Sequence, residues 1–185
     1  MAQQDWQKYL NFRCTGCGNC CRRTTVMVTD EDIHRIQRGV GLPADEFIHF
    51  VDQKDVNLPK RGPWWVHFGP KRAVMALRHR AGGACIFLDN EQRCTIYEHR
   101  PVTCREHPLD LDFSDNGAIE LITLSDIVDC PHDWDGNLTR TELRRVAKWN
   151  ERQSDRYLDE VERWNRRRTI RKTRPAFLRY LGFDT

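Results

Sequence analysis

Residues 12–21 read FRCTGCGNCC, which puts the thiols of Cys14, Cys17, Cys20 and Cys21 within one short run. So many soft ligands in so short a stretch are not hydrophobic filler. A chain that carries them must fold so as to bring further ligands to the same loop. Four more cysteines complete a set of eight: Cys85, Cys94 and Cys104 form a second block, and Cys130 stands alone. We read the chain as a small scaffold organised around thiolate-held metal, with all eight cysteines as candidate ligands.

Length and composition agree with such a scaffold. A chain of 185 residues, 39 % hydrophobic and 31 % charged, is polar for a globular protein but outside the usual disordered range. It fits one domain with an appended helical tail. The first residues, MAQQDWQKYLNFRC, have neither the basic start nor the apolar run of a secretory signal. No stretch approaches the roughly 20 apolar residues of a membrane span. The expected compartment is the cytoplasm, without membrane attachment, where structural disulfides are disfavoured and metal binding is the better use of eight thiols.

Local signals give the outline of the elements. Trp6, Tyr9 and Leu10 form a lead-in that packs against the cysteine loop, where Gly16 and Gly18 allow tight turns. A short strand is expected in RTTVMVT. Thr29 then caps a helix, Asp32 answers in a capping box, Ile33 and Ile36 make its apolar stripe, and Gly39 or Gly41 ends it. Pro43 opens a second helix with Phe47, Ile48 and Val51 on its buried side. Residues 52–71 read as a loop or small hairpin around Trp64, Trp65, Val66 and Phe68, with the tryptophans as lids or core. Residues 74–79 continue as a short element. The CIFL stretch and the residues around Cys94 are two extended pieces joined by a DNEQ turn, and residues 118–124 are a strand. Thr139 or Thr141 caps a helix of roughly 25 residues, about 37 Å long. Its stripe runs through Leu143, Val146, Ala147, Asn150, Tyr157, Leu158, Val161 and Trp164. A basic run follows (Arg166, Arg167, Arg168, Arg171, Lys172, Arg174), and Pro175 starts a last short amphipathic piece. The expected fold is a small, mainly helical α+β domain. It has an irregular cysteine-rich metal-binding core with short strands over residues 1–135, and a C-terminal helical extension with a basic tail over 136–185.

The cysteine spacing admits two chemistries. Cys14, Cys17 and Cys20 have the C-x2-C-x2-C spacing that wraps a corner of a 4Fe–4S cubane, and Cys130-Pro131 is similar to the remote C-P ligand of such loops. CTGCG is equally a zinc knuckle. Cys20 and Cys21 are adjacent, so in extended backbone their thiols diverge and can serve different centres. Four thiolates per centre use all eight cysteines in two sites. The alternative is one complete centre with surplus thiols. Arg93, Arg100 and Arg105 either offset thiolate charge by hydrogen bonding or are ordinary solvated arginines. His107 and His132 are minor candidates to replace a thiolate, and Tyr97 is expected in the core.

At these residues the sequence resembles the CxxCxxCC family of YkgJ-type cysteine-cluster proteins, regarded as zinc- or iron-chelating. The resemblance is carried by FRCTGCGNCC at 12–21, CIFL from Cys85, and CTIYEHRPVTCREHP at 94–108, close to the family wording C-x-I-Y-x-x-R-P-x-x-C-R-x-F-P. It covers about residues 10–132 and departs at His107, where an aromatic residue is more usual. A similar cysteine domain occurs in flagellin lysine N-methylases, but this chain has no methyltransferase-sized domain and no glycine-rich nucleotide loop. Residues and resemblance together lead to an iron–sulfur protein, 4Fe–4S favoured, that transfers electrons or serves a small redox function with a redox partner protein. The alternatives are a zinc-stabilised structural or interaction module, and a nucleic-acid-binding accessory acting through the basic run. The long helix offers a face for a second copy. No catalytic residue is nominated.

Overall fold

In the computed structural model the described residues are 6–114, 116, 118–126, 129–168 and 171–184; the side chains of Trp6 and Arg23 lie outside the description. The central strand is β4 (Lys71–Leu77), whose last five residues are all buried, as a strand covered on both faces requires. Antiparallel β2 (Ile48–Asp52) pairs along one edge, with Ile48 opposite Leu77, and β3 (Val66–Phe68) pairs along the other, with Val66 opposite Ala73. The RTTVMVT stretch continues that second edge. Val28 N–H donates to the Met75 carbonyl and Leu77 N–H to the Val26 carbonyl.

Helix α1 (Cys20–Arg23) is a single turn within the cysteine loop. Helix α2 (Asp30–Val40) starts at Thr29 with the expected reciprocal capping box to Asp32 and stops at Gly41, whose φ of 71° suits glycine. The helix expected from Pro43 through Val51 is much shorter: α3 covers only Ala44–Phe47, and the chain is already strand at Ile48. Ile48 and Phe50 alternate into the core, and the backbone of residues 48–52 is claimed by the β4 ladder. Ladder hydrogen bonds and β-branched residues here prevail over the local helix start.

Helix α4 (Val102–Glu106) is followed by a hairpin of β5 (Leu109–Phe113) and β6 (Ile119–Leu124). Short β1 (Arg13–Cys14) pairs with β7 (His132–Asp133). Helix α5 (Arg140–Arg166) has 27 residues, about 40 Å, and opens with a capping box between Thr139 and Glu142. Helix α6 (Arg174–Tyr180) starts on the Thr173 hydroxyl with Pro175 in its first turn. The result is a small α+β fold with a long C-terminal helix.

Two apolar cores form. The larger joins Ile33, Ile36, Phe47, Phe50, Met75 and Phe87 to Tyr157, Val161, Trp164, Phe177 and Phe183. The smaller contains Tyr9, Phe12, Leu109, Ile119, Ile122 and Leu143. Helix α5 enters both, through Leu143 at its start and Trp164 near its end. Much of the basic run is engaged within the chain. Arg174 pairs with Asp52, Arg166 with Glu162, Lys172 donates to the Asn165 carbonyl, and Arg167 lies over Tyr180. No helix among the described residues is long and apolar enough to cross a membrane.

Trp164 is fully buried, donates from Nε1 to the His67 carbonyl and packs on Phe177 and Tyr180. Trp164→Ala is expected to cost about 3–5 kcal/mol in denaturant unfolding. His49 adds a pH dependence. Burial, with His79, Arg78 and Arg174 nearby, holds its imidazole below the ordinary value, and its Nε2 is buried without a partner. The unfolded chain therefore binds the proton more readily. This contribution is fully present above about pH 6.5 and is lost as pH falls through that value toward the folded pKa. Stability of His49→Gln is expected to fall less steeply below about pH 6.5 than that of the parent, measured by urea titration across pH.

Candidate metal centre

The cysteine loop is pinned to the segment around Cys130. Thr15 Oγ1 donates to the Pro131 carbonyl at 2.8 Å and Asn19 Nδ2 to the Asp129 carbonyl at 2.8 Å. Cys14 faces His132 across the β1–β7 ladder, and Arg13 bridges Asp133 and Asp135, each at 2.7 Å. Gly16 and Gly18 have φ of 70° and 73°, and a side chain at Gly18 would meet Arg22 and Leu88 at 3.2 Å. The Gly16 N–H points at Cys14 Sγ, 3.4 Å away.

The second block is joined to the same loop through the backbone. Cys85 N–H donates to the Cys21 carbonyl at 2.6 Å. Leu88 bridges to Cys94 across a turn in which Asp89 Oδ1 accepts from the N–H groups of Glu91 and Arg93. Cys104 rides on α4, which is held by a buried carboxylate. Asp32 accepts from Thr29 N and Oγ1, from the Arg35 guanidinium and from Val102 N at the start of α4. Arg35 also donates to the Arg100 carbonyl and stacks on Trp149, while buried Gln153 of α5 donates to Thr29. The sequence marks Asp32 only as a helix cap, yet its carboxylate ties α2 to α4.

These elements enclose a cavity of about 730 Å³ between the two cores, lined by Cys14, Cys17, Cys20, Cys21, Cys94, Cys104 and Cys130. Cys85 is buried and belongs to the larger core. The thiols form two electrostatic neighbourhoods. Cys104 is influenced by Cys20, Cys85 and Cys94, and Cys21 by Cys20, Cys85 and Cys104, whereas Cys130 is influenced by Cys14, Cys17 and Cys20. Cys20 and Cys21 start a helix rather than lying extended, and their thiols share a hydrogen bond. That bond lowers the pKa of Cys20 and raises that of Cys21. Burial raises Cys85, Cys94 and Cys104, and pushes Cys130 up to about 11.

Among the described residues, no three His, Cys, Asp or Glu side chains converge tightly enough to hold an ion. In kind and number the donors suit a soft metal; their present rotamers do not form its shell. Binding a cation would displace thiol protons and draw the ligands together.

The remaining candidates separate clearly. Arg93 is an exposed arginine paired with Asp89 and Glu91. Arg105 donates to the carbonyls of Glu98 and Arg100. Arg100 lines the cavity; it adds a small lowering influence on Cys20 and partly opposes the raising effect of burial at Cys94 and Cys104. Tyr97 is not in the core. It is 53 % exposed and lies under the Arg100 guanidinium at 3.9 Å, because the Tyr97–His99 turn faces outward. His132 Nδ1 contacts the Cys130 carbonyl at 2.7 Å, so that nitrogen is engaged by backbone. His107 lines the cavity with Nε2 buried and without a partner, and burial holds its pKa down. Glu106 was not singled out by the sequence. It lines the cavity, accepts from Asn150 at 2.5 Å, and is raised by burial. Only the packing of α4 on α5 creates that environment.

Thiols from four separate segments on one cavity, with a guanidinium among them, define a cysteine-cluster protein of the chelating class. The chain belongs to the CxxCxxCC family, described as "Putative zinc- or iron-chelating domain", whose model matches residues 13–122. It is similar to the uncharacterized protein MJ0661 of Methanocaldococcus jannaschii, 32 % identical over 117 residues. That match covers 61 % of this chain and 54 % of the relative, so the chain spans about half the length of that protein. No solved structure matches.

Removing the Asp32 carboxylate would leave Arg35 without its ion-pair partner and Val102 N–H without an acceptor. Asp32→Ala is expected to lower unfolding free energy by about 3 kcal/mol or more, read from urea titration.

Proposed function

We propose that the protein chelates iron through its thiols as iron–sulfur centres and passes electrons to a partner protein. The observation that carries this reading is the gathering of seven of the eight cysteines onto one cavity, with the eighth directly behind. The electrostatic neighbourhoods support an inner set, Cys21, Cys85, Cys94 and Cys104, and an outer set, Cys14, Cys17 and Cys130, with Cys20 acting on both. The even spacing of Cys14, Cys17 and Cys20 is the reason for assigning Cys20 to the outer set. Bound iron–sulfur centres would supply one-electron chemistry. The chain's own residues present the thiols and limit water on the inner side. Cys14 is exposed, so the outer set is the one that a redox partner reaches.

A zinc-stabilised module is the second reading. It is favoured by the CTGCG knuckle, where the Gly16 N–H meets Cys14 Sγ. The engagement of Arg166, Lys172 and Arg174 within the chain weighs against a basic phosphate-binding tail.

Iron, zinc and acid-labile sulfide measured on anaerobically purified protein test the proposal. Iron with matching sulfide and a broad visible absorption is expected; stoichiometric zinc without sulfide would leave the zinc module in its place. Cys104→Ser is expected to lose the inner metal and lower the melting temperature strongly, because that side borders the larger core. Cys14→Ser is expected to lose only the outer metal with a smaller drop, read by elemental analysis and thermal unfolding. Equal loss of all metal in both variants would mean a single shared centre.

A further inference from the structure

The cavity, about 730 Å³, is of the size of small-molecule pockets, roughly 300–1,000 Å³. Its lining also includes the apolar side chains of Leu109, Leu111, Leu143 and Val146.

Four arginines line the same space, and three are already committed. Arg13 holds Asp133 and Asp135, Arg93 holds Glu91, and Arg105 donates to two backbone carbonyls. The two glutamates of the lining are occupied as well, Glu142 in the Thr139 cap and Glu106 on the Asn150 amide. Among the described residues, Arg100 has neither an ion pair nor a hydrogen-bond acceptor for its guanidinium, and its Nε is buried. The Tyr97 ring beneath it fixes the plane of the fork. A planar, oriented guanidinium without an acceptor, beside an apolar recess, matches a carboxylate attached to an apolar body.

We propose that this cavity binds a small organic carboxylate, with Arg100 receiving the carboxylate and the leucine-rich wall receiving the apolar body. The proposal goes beyond the chelation reading and does not depend on it, because the guanidinium and the recess belong to the protein itself.

Calorimetric titration of the anaerobically purified full chain with benzoate, benzamide and inorganic phosphate tests it, with metal content measured on every sample. Benzoate is expected to bind at least about tenfold more tightly than benzamide, its uncharged counterpart, and more tightly than phosphate, which lacks the apolar body. Arg100→Gln should weaken benzoate by about tenfold or more while keeping its metal; Arg144→Gln, an exposed arginine on α5, should leave both unchanged. Equal affinity for benzoate and benzamide, or no benzoate binding by the parent, would overturn the proposal without any variant having to fold. Loss of metal together with benzoate in Arg100→Gln would also overturn it, by assigning the guanidinium to the thiolates. Benzoate binding that needs Arg100 in a chain with no metal would refute chelation and leave the carboxylate site standing.

Discussion

The buried carboxylate of Asp32 is the contact on which the arrangement of the site depends. A charge this deep is tolerated only when all of its acceptor capacity is used. Thr29, Arg35 and Val102 supply that, and they come from the cap of α2, its first turns and the start of α4. Because Gln153 reaches Thr29 from α5, three helices meet at one polar knot inside an otherwise apolar packing. The direction of α4, and with it Cys104, Glu106 and the backbone that bears Arg100, follows from that knot. A hydrophobic contact fixes distance loosely, whereas a carboxylate with several donors also fixes orientation.

The thiols lie along the seam of two cores rather than inside one. Cys85 and its surroundings belong to the larger core, while Cys130 packs beside the smaller one. Helix α5 touches both and so sets their spacing. This explains how a short cysteine loop can meet ligands from far along the sequence. The loop needs only a few fixed points, Thr15 on Pro131, Asn19 on Asp129 and Cys21 on Cys85, and each is a hydrogen bond to or from backbone. The same seam brings Arg100 and several leucines into the lining of one cavity.

Features governed by neighbours in the chain were legible from the sequence. The Thr29–Asp32 cap, the Gly41 stop, the Thr139 start and the strand at residues 119–124 each follow from local chemistry. The turn between Leu88 and Cys94 is of the same kind, with Asp89 bonding its own backbone. Features decided by distant partners were not. Ile48 and Val51 suit a helix until β4 offers a ladder. Tyr97 looks like core until its turn proves to face outward. Glu106 and Gln153 read as ordinary polar positions, since only the packing against α5 buries them. For the site, the sequence let the thiols of Cys20 and Cys21 diverge, as they would in extended backbone, whereas the fold starts a helix there and lets the two thiols share a hydrogen bond.

The pairing of Cys14 with His132 has a consequence for biosynthesis. The outer wall closes only after the chain through Asp133 has left the ribosome, and the larger core waits for Phe183. Until then the first four thiols travel on a nascent segment without their enclosing partners.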